Sequence, residues 1–512
     1  MKKGIAVSLI TVAVVIGMGC CISCFGAKQE TVRVGLERQY KGVSSITVEN
    51  NDIEICVDGG NTYTVSGGML SSAGGVYYDT GKSFSDLEKA TEYMENGIPV
   101  MKKDGWAVYF KENTALSSVT TEEVKEDKNV EETKDIQTEN ADAVVLGGNE
   151  ISLKTSQGEI LLDCKNHITL SSSSNVVDLG QSSYRGIIEI KATAGVLTAV
   201  NELTVDEYLY GVVPAEIYSS WGAEALKAQA VAARTYAEYS KGKHSDYDLC
   251  DSTHCQMYKG YDIEAQSTNN AVNATSGEMI YYDNKPICAV YFDCSGGHTV
   301  SAKSTWGSDI PYLQGVVDEY EVEPKTWTYT YTLEELTKRA EELGFEIGDV
   351  VNVSVGEKTD NILVEKINLT GTKGNATVEG VKIKEFFAKD GTNIDGRCFT
   401  LQGGNAPVNN VYVSAVDKNR EKVELEVITV IDGDGKVTVL DDLNCVVKSA
   451  AGEVVISENT GQVMEANSVI TLSGKGWGHG VGMSQRGACG LANQGYDYKE
   501  ILKYYYKGVN IK

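Results

Sequence analysis

Glu216 carries the first chemical signal. It stands in Val213-Pro214-Ala215-Glu216-Ile217-Tyr218, with Trp221 close behind. A carboxylate among apolar and aromatic neighbours is poorly solvated, and desolvation favours its protonated form. A raised pKa is what a general acid working near neutral pH needs. Pro214 pins the backbone two residues earlier. Lys227 and Arg234 follow in an alanine-rich run, seven residues apart. On a helix that is almost two turns, so both project from one face. Buried cations need anionic or polar partners. The two serve either as structural ion pairs or as a cationic wall that orients Glu216 and a substrate.

His244, Cys250, His254 and Cys255 fall in one short segment of a chain with only 5 histidines. Two imidazoles and two thiolates match a closed tetrahedral zinc site, which leaves no position for substrate and is therefore structural. The competing reading is a Cys250–Cys255 disulfide with incidental histidines.

Two glycine-rich loops each hold a histidine: Ser295-Gly-Gly-His298-Thr and Gly476-Trp477-Gly-His479-Gly480. Glycine lets backbone amides approach a ligand closely, and it equally makes tight turns between strands. Cys294 with a distant histidine would suit a cysteine peptidase, but such spacing transfers poorly between families. Cys288 and Cys294 fit equally as buried thiols or as a pair.

These residues need a scaffold. Ala223–Lys241 holds strong helix formers throughout, with Ser219 or Ser220 as N-cap, and is apolar nearly all round, hence buried. Before it come consecutive alternating runs, EISLKT, EILLDC, HITLSS, GIIEIKAT and VLTAVNEL, which predict short strands. After it, Leu333–Phe345 predicts an amphipathic helix stopped by Gly344. Strands dominate from Val350 to Leu472, and a short helix closes the chain. Thr120 to about Ala143 is acidic and lacks aromatic residues, the composition of a solvated linker. Residues 28–115 predict a small α+β domain, with a helix capped by Ser85 and a hairpin over Ile98–Glu112. Its strand–helix–strand–strand order resembles the SPOR domain, which binds glycan strands stripped of peptides; an unspecified spacer is the alternative.

Lys2 and Lys3 precede an apolar run from Gly4 to Ala27. About 20 apolar residues span a bilayer, and the leading lysines predict a cytoplasmic N-terminus with the remainder exported. No small-x-small cleavage site follows, so a retained single-pass anchor in the cell membrane is expected rather than a cleaved signal. Cys20, Cys21 and Cys24 read as small apolar residues of that helix; a lipid attached to one of them is the alternative. The chain carries a net charge of −26, which argues against a nucleic-acid partner and suits a neutral or zwitterionic substrate. At 42% hydrophobic residues it can bury a sizeable core. The cysteines beyond the anchor are odd in number and too sparse for a disulfide scaffold.

Three separated segments resemble the signature of the stage II sporulation protein D (SpoIID/LytB) family. They are GVVPAEIYSSWGAEALKAQAVAARTYA from Gly211, YFDCSGGHTVSAKSTWGSDIPYL from Tyr291, and GKGWGHGVGMSQRGACGLANQGYDYKEILKYYYKG from Gly474. The likeness runs from about Glu150 to Lys512. It implies a lytic transglycosylase that cuts peptidoglycan glycan strands, probed for by family position at Glu216 as catalytic acid and base, with Lys227 and Arg234 as its basic residues. Some clostridial members of the family carry zinc in the loop after the helix, and His244, Cys250, His254 and Cys255 match that pattern at all four ligands. The resemblance also implies that Ser295, Gly296, His298 and His479 line a glycan cleft, with Trp306, Tyr312 and Trp477 as sugar-stacking surfaces.

The expected fold is thus α+β and strand-rich, with one long buried helix at the active site. The expected layout is an anchor at 1–27, a small domain at 28–115, a linker at 116–146 and a catalytic domain at 147–512. The expected substrate is glycan stripped of stem peptides, in wall remodelling and sporulation. Some LytB-type relatives are instead wall-binding modifiers that stimulate an amidase. A hydrolase that uses water needs a second placed carboxylate, for which Asp293 is the candidate.

Overall fold

In Thr31–Gly35, Val32 and Val34 are buried while Thr31 is exposed, the period of two that gives a strand one covered face. Such alternation recurs through much of the chain, and the fold is α+β and strand-rich. The structure, a computed structural model, describes residues 30–93, 97–111, 142–156, 158–164, 167–403 and 469–512. Between 404 and 468 it describes only the backbone of the strands 411–414, 420–423, 428–431, 437–440, 445–449, 452–457 and 462–465. Among the described residues no helix is long and apolar enough to cross a membrane. The apolar run 4–27 and most of the acidic linker lie outside them. The strand Asp142–Thr155 begins inside the stretch that composition assigns to the linker, because Ala143 to Leu146 supply an apolar run that pairs with Gly75–Tyr78.

The chain forms two compact units, one of residues up to 216 with 240–269, the other of 217–239 with 270–512. The first unit holds two large sheets. One runs in the order Leu249–Cys250, Thr31–Gly35, Val196–Thr204, Ile187–Thr193, Ile168–Ser172, Ile53–Val57, Thr62–Val65. In the other, Gly68–Phe84 pairs with both Gly105–Lys111 and Asp142–Thr155, so five strands close into a ring. Ile53, Ile55 and Leu170 of the first sheet line the same narrow apolar space as Val48, Leu70 and Leu153 of the second. Strands from 31–111 therefore pair with strands from 142–204 and close no sheet of their own. The hairpin over Ile98–Lys111 forms as its turn residues predict, with Lys102 opposite Gly105. Helix α1 (Glu37–Tyr40) follows the first strand. Helix α2 (Leu87–Tyr93) is capped by Asp86, which accepts the amide of Lys89, and not by Ser85.

Helix α3 (Val205–Glu216) is the element that the sequence pattern hides. Pro214 sits inside its last turn, where proline normally argues against helix. Its start is signalled nonetheless: Thr204 Oγ1 accepts the amide of Glu207, and the Glu207 carboxylate accepts the amide of Thr204 at 3.0 Å. That reciprocal pair is a capping box. Helix α4 (Ala223–Ser240) is the long buried helix, and Gly222 rather than Ser219 or Ser220 begins it, its carbonyl accepting the amides of Ala225 and Leu226. Helix α5 (Gln266–Ala274) follows.

Among its described residues the second unit has two cores. Ala228, Val231 and Ala232 of α4 pack with Leu491 of helix α9 and Ile501, Leu502 and Tyr505 of helix α10. Before these helices lie α6 (Ala302–Trp306), α7 (Leu333–Glu342) and α8 (Lys382–Phe386); α9 spans Gln485–Asn493 and α10 spans Tyr498–Tyr505. The other core joins α7 and α8 to the strands Val350–Thr359, Leu363–Gly371 and Val469–Lys475.

Thr204→Ala should lower stability by about 1 kcal/mol, the usual cost of an N-cap. Thr204→Ser should retain most of it. Urea unfolding of the two variants beside the parent checks this.

Candidate active site and metal centre

Helix α3 places Glu216 as its last residue. The chain from Gln256 to Lys259 then runs back along the same helix. Tyr208 donates its hydroxyl to Gln256 Oε1 at 3.2 Å, the amide of Lys259 donates to the Gly211 carbonyl at 3.2 Å, and the rings of Tyr208 and Tyr258 lie 5.1 Å apart. Within this packing the amide of Met257 donates to Glu216 Oε1 at 2.8 Å. Glu216 is half-buried, and a main-chain donor sets the direction of its carboxylate.

Met257 comes two residues after Cys255, the last member of the His/Cys cluster. His244, Cys250, His254 and Cys255 each aim one donor atom inward, all within 4.8 Å of one another. His244 Nε2 lies 3.4 Å from Cys255 Sγ, and His254 Nδ1 lies 3.7 Å from Cys250 Sγ and 3.5 Å from Cys255 Sγ. A tetrahedral ion with metal–sulfur and metal–nitrogen bonds of about 2.3 and 2.0 Å has ligand edges of about 3.3–3.8 Å. The donor set and its spacing therefore fit a single metal ion. Cys250 and Cys255 are buried free thiols, so the disulfide reading does not hold. Burial pushes the Cys255 thiol up to about 11 without a cation, and a bound cation must displace that proton.

Lys227 and Arg234 belong to the second unit, Glu216 to the first. Lys227 is half-buried and pairs with Glu224 at 2.7 Å, its Nζ 5.7 Å from the centre of the Tyr498 ring. Arg234 is buried, and its guanidinium donates to the carbonyls of Val272 at 3.1 Å and Glu278 at 3.4 Å. A guanidinium so placed satisfies main-chain acceptors at the end of α5.

The two glycine loops meet directly. The amide of Trp477 donates to the Cys294 carbonyl at 2.8 Å and the amide of Cys294 to the Trp477 carbonyl at 3.2 Å. At Gly296, with φ of +78°, a Cβ would fall 2.5 Å from the Lys475 carbonyl oxygen, so glycine is needed for loop to meet loop. The loop amides are engaged within the protein: Glu321 accepts from Ser295 and Gly296, and Ser295 Oγ accepts from Gly297 at 3.0 Å.

Ser295 and His298 are buried, and His298 sets its nitrogens against the Thr299 carbonyl at 2.5 Å and Asp360 at 2.7 Å. Tyr312 is half-buried, and its hydroxyl accepts the amide of Cys288. Trp306, Trp477 and His479 are exposed, the two tryptophans at 46% and 47%. His479 lies beside Trp306 with ring centres 5.4 Å apart. Its Nδ1 accepts the amide of Val481 and its Nε2 faces the Tyr291 carbonyl. Desolvation of these nitrogens pushes its pKa down to about 4, although one ring face is open, so the ring is neutral at pH 7. Cys288 and Cys294 form no disulfide, and burial pushes the Cys294 thiol up to about 11, against a thiolate nucleophile. Asp293 is held in ion pairs with Arg486 at 3.0 Å and Lys325 at 2.7 Å.

Two carboxylates behind these loops escape the sequence reading. Asp318 accepts from Ser295 Oγ at 2.9 Å and from the Tyr505 hydroxyl at 2.7 Å. Burial pushes Asp318 up, and burial together with the Asp318 charge pushes Glu321 up. Both stand in an acidic surface-like stretch, Asp318-Glu-Tyr-Glu321, in a chain with 72 acidic residues, and nothing local marks them out.

From the usual carboxylate value near 4 up to these raised values, the folded protein binds more protons than the unfolded chain. Stability contributed here is complete below that window and is lost as pH rises through it. The unfolding midpoint of Asp318→Asn should therefore fall less than the parent's between pH 4 and pH 7. Urea titrations at a series of pH values check the difference.

Comparisons with known proteins agree with this layout. A profile of the stage II sporulation protein family matches residues 193–282, the stretch that contains α3, α4 and the His/Cys loop. An uncharacterised protein of Brachyspira hyodysenteriae is 32% identical over 321 residues, 62% of this chain and 68% of its own. The stage II sporulation protein D of Bacillus subtilis is 28% identical over 336 residues, 61% of this chain and 76% of its own. The amidase enhancer of Bacillus subtilis is 32% identical over 304 residues, which are 59% of this chain and 40% of that longer protein. The chain belongs to the stage II sporulation protein D family.

Proposed function

We propose that this member is a peptidoglycan lytic transglycosylase with Glu216 as its single acid and base. The observation that carries the reading is the Met257 amide on Glu216 Oε1, which holds one carboxylate in a fixed direction at the end of α3. Glu216 protonates the oxygen that joins N-acetylmuramic acid to N-acetylglucosamine, and the bond from C1 to that oxygen breaks. The muramic C6 hydroxyl closes on C1 and gives its proton to Glu216. The product is 1,6-anhydromuramic acid, and no water is consumed. One carboxylate suffices for both transfers, whereas water-using glycosidases normally need two. The ion pairs at Asp293 support the one-carboxylate reading.

Zinc suits the His/Cys loop, and four protein ligands make it structural. It would supply a cross-link that keeps His244, Cys250, His254 and Cys255 together, so that Met257 stays against Glu216. Exposed Trp306 and Trp477 offer ring faces for sugars. The apolar run 4–27 acts as a single-pass anchor that leaves these units outside the membrane, where the glycan lies. A second reading draws on the relative named an amidase enhancer: a wall-binding modifier that stimulates an amidase without cutting glycan itself.

Mass spectrometry of glycan strands stripped of stem peptides separates the readings. Anhydro ends are expected from the parent, reducing ends from a hydrolase, and intact strands from a modifier. Glu216→Gln should cut anhydro-product formation by more than the 10²–10⁴-fold typical of one acid–base group, because Glu216 serves both transfers. A Glu216→Gln protein with parental turnover would remove the assignment. Elemental analysis should find about one zinc per chain, and Cys250→Ser should lower both metal content and melting temperature.

A further inference from the structure

His244, unlike Cys250, has no helix or strand around it. Cys250 lies in the short strand Leu249–Cys250, whereas 241–248 contains neither helix nor strand. The orientation of the His244 ring therefore depends on side-chain packing. What packs there is Tyr247, with ring centres 4.7 Å apart and planes inclined by 32°. Tyr247 in turn is fixed by a segment more than two hundred residues earlier. Its hydroxyl donates to the Glu37 carboxylate, which Lys41 also holds. Its ring lies against Gly35, where a Cβ would fall 2.4 Å from Cζ and 2.6 Å from both ε carbons.

The same segment binds the main chain on both sides of Tyr247. Gly35 pairs with Cys250 in parallel register. The amide of Asp248 donates to the Arg33 carbonyl at 2.8 Å, that of Asp251 to the Gly35 carbonyl at 3.2 Å, and that of Arg33 to Asp248 Oδ2 at 2.9 Å. The amide of Arg38 donates to Asp251 Oδ1 at 3.1 Å. Segment 31–41 lies outside the stretch 193–282 that the family profile matches.

We propose that Tyr247, seated on Gly35 and held by Glu37, is a positioning residue for the metal ligand His244, and that segment 31–41 is thereby a wall of the metal centre. The inference rests on the reading of the His/Cys loop as a metal site. A residue that orients a metal ligand without touching the metal typically changes affinity by about 10–100-fold when it is lost.

The test is zinc competition against a chromophoric chelator, with the absorption spectrum of the cobalt(II)-substituted protein as a second readout, on the full chain. Tyr247→Ala should weaken zinc binding by about 10–100-fold and shift the thiolate-to-cobalt bands. Tyr247→Phe keeps the ring and should recover most of the affinity. Gly35→Ala should act as Tyr247→Ala does and add nothing to it, since both displace the same ring. Glu37→Gln, isosteric and safe for the fold, should weaken binding by a smaller factor in the same direction. Parental affinity and spectrum in Tyr247→Ala, Gly35→Ala or Glu37→Gln overturn the proposal while the metal reading stands. A parent protein that binds neither zinc nor cobalt overturns both.

Discussion

The hydrogen bond on which the candidate site in the first unit turns is that of the Met257 amide to Glu216 Oε1. A main-chain donor has no rotamer of its own, so the carboxylate direction is as well defined as the backbone that carries Met257. That backbone is bounded by the His/Cys cluster on one side and by the docking of Tyr258 and Lys259 on α3 on the other. On the proposed reading, a loop closed by the four donors and a helix end fix the one carboxylate that carries both proton transfers. On the same reading, a closed metal site would bear on a reaction in which the ion takes no part.

The second unit meets the same need differently. Its glycine loops fasten to each other through Cys294 and Trp477, and their amides turn inward to Glu321 and Ser295. Two carboxylates that resist ionisation sit behind this junction and are satisfied by hydroxyls and amides rather than by cations. Buried polar groups of this kind are tolerated only when fully partnered. Trp306 and Trp477 are left open at the surface beside this junction.

Local pattern in the sequence was enough for some of this and not for the rest. The alanine-rich run before Ser240 and the alternating runs before Thr204 declare their periods within a few residues, and both form as expected. The His/Cys cluster is legible because two of the chain's 5 histidines fall beside two cysteines within the single segment 244–255. Helix α3 is masked by Pro214, although Thr204 and Glu207 announce its start. Ser295 and His298 are buried where the two loops meet, and the sequence does not announce it, because glycine-rich neighbours look the same whether a loop opens to a ligand or closes on another loop. Strand partners are out of reach altogether. Nothing in Thr31–Gly35 says that it pairs with Val196–Thr204, since alternation fixes a strand's covered face and not its neighbour.

That pairing has a kinetic consequence. Thr31–Gly35 lies between Val196–Thr204 and Leu249–Cys250, so both its neighbours are made long after it. At a synthesis rate of about 5–20 residues per second, the strand waits about 10–40 s for Cys250 to follow it from the ribosome. Until Val196–Thr204 follows, its edges have no native strand partner, and one edge stays open until Cys250 arrives. Folding of the first unit can begin instead where neighbours in sequence are also neighbours in the sheet, as in the hairpin of Ile53–Val57 with Thr62–Val65 and between Ile168 and Thr204. The oldest part of the chain is among the last to be fastened down.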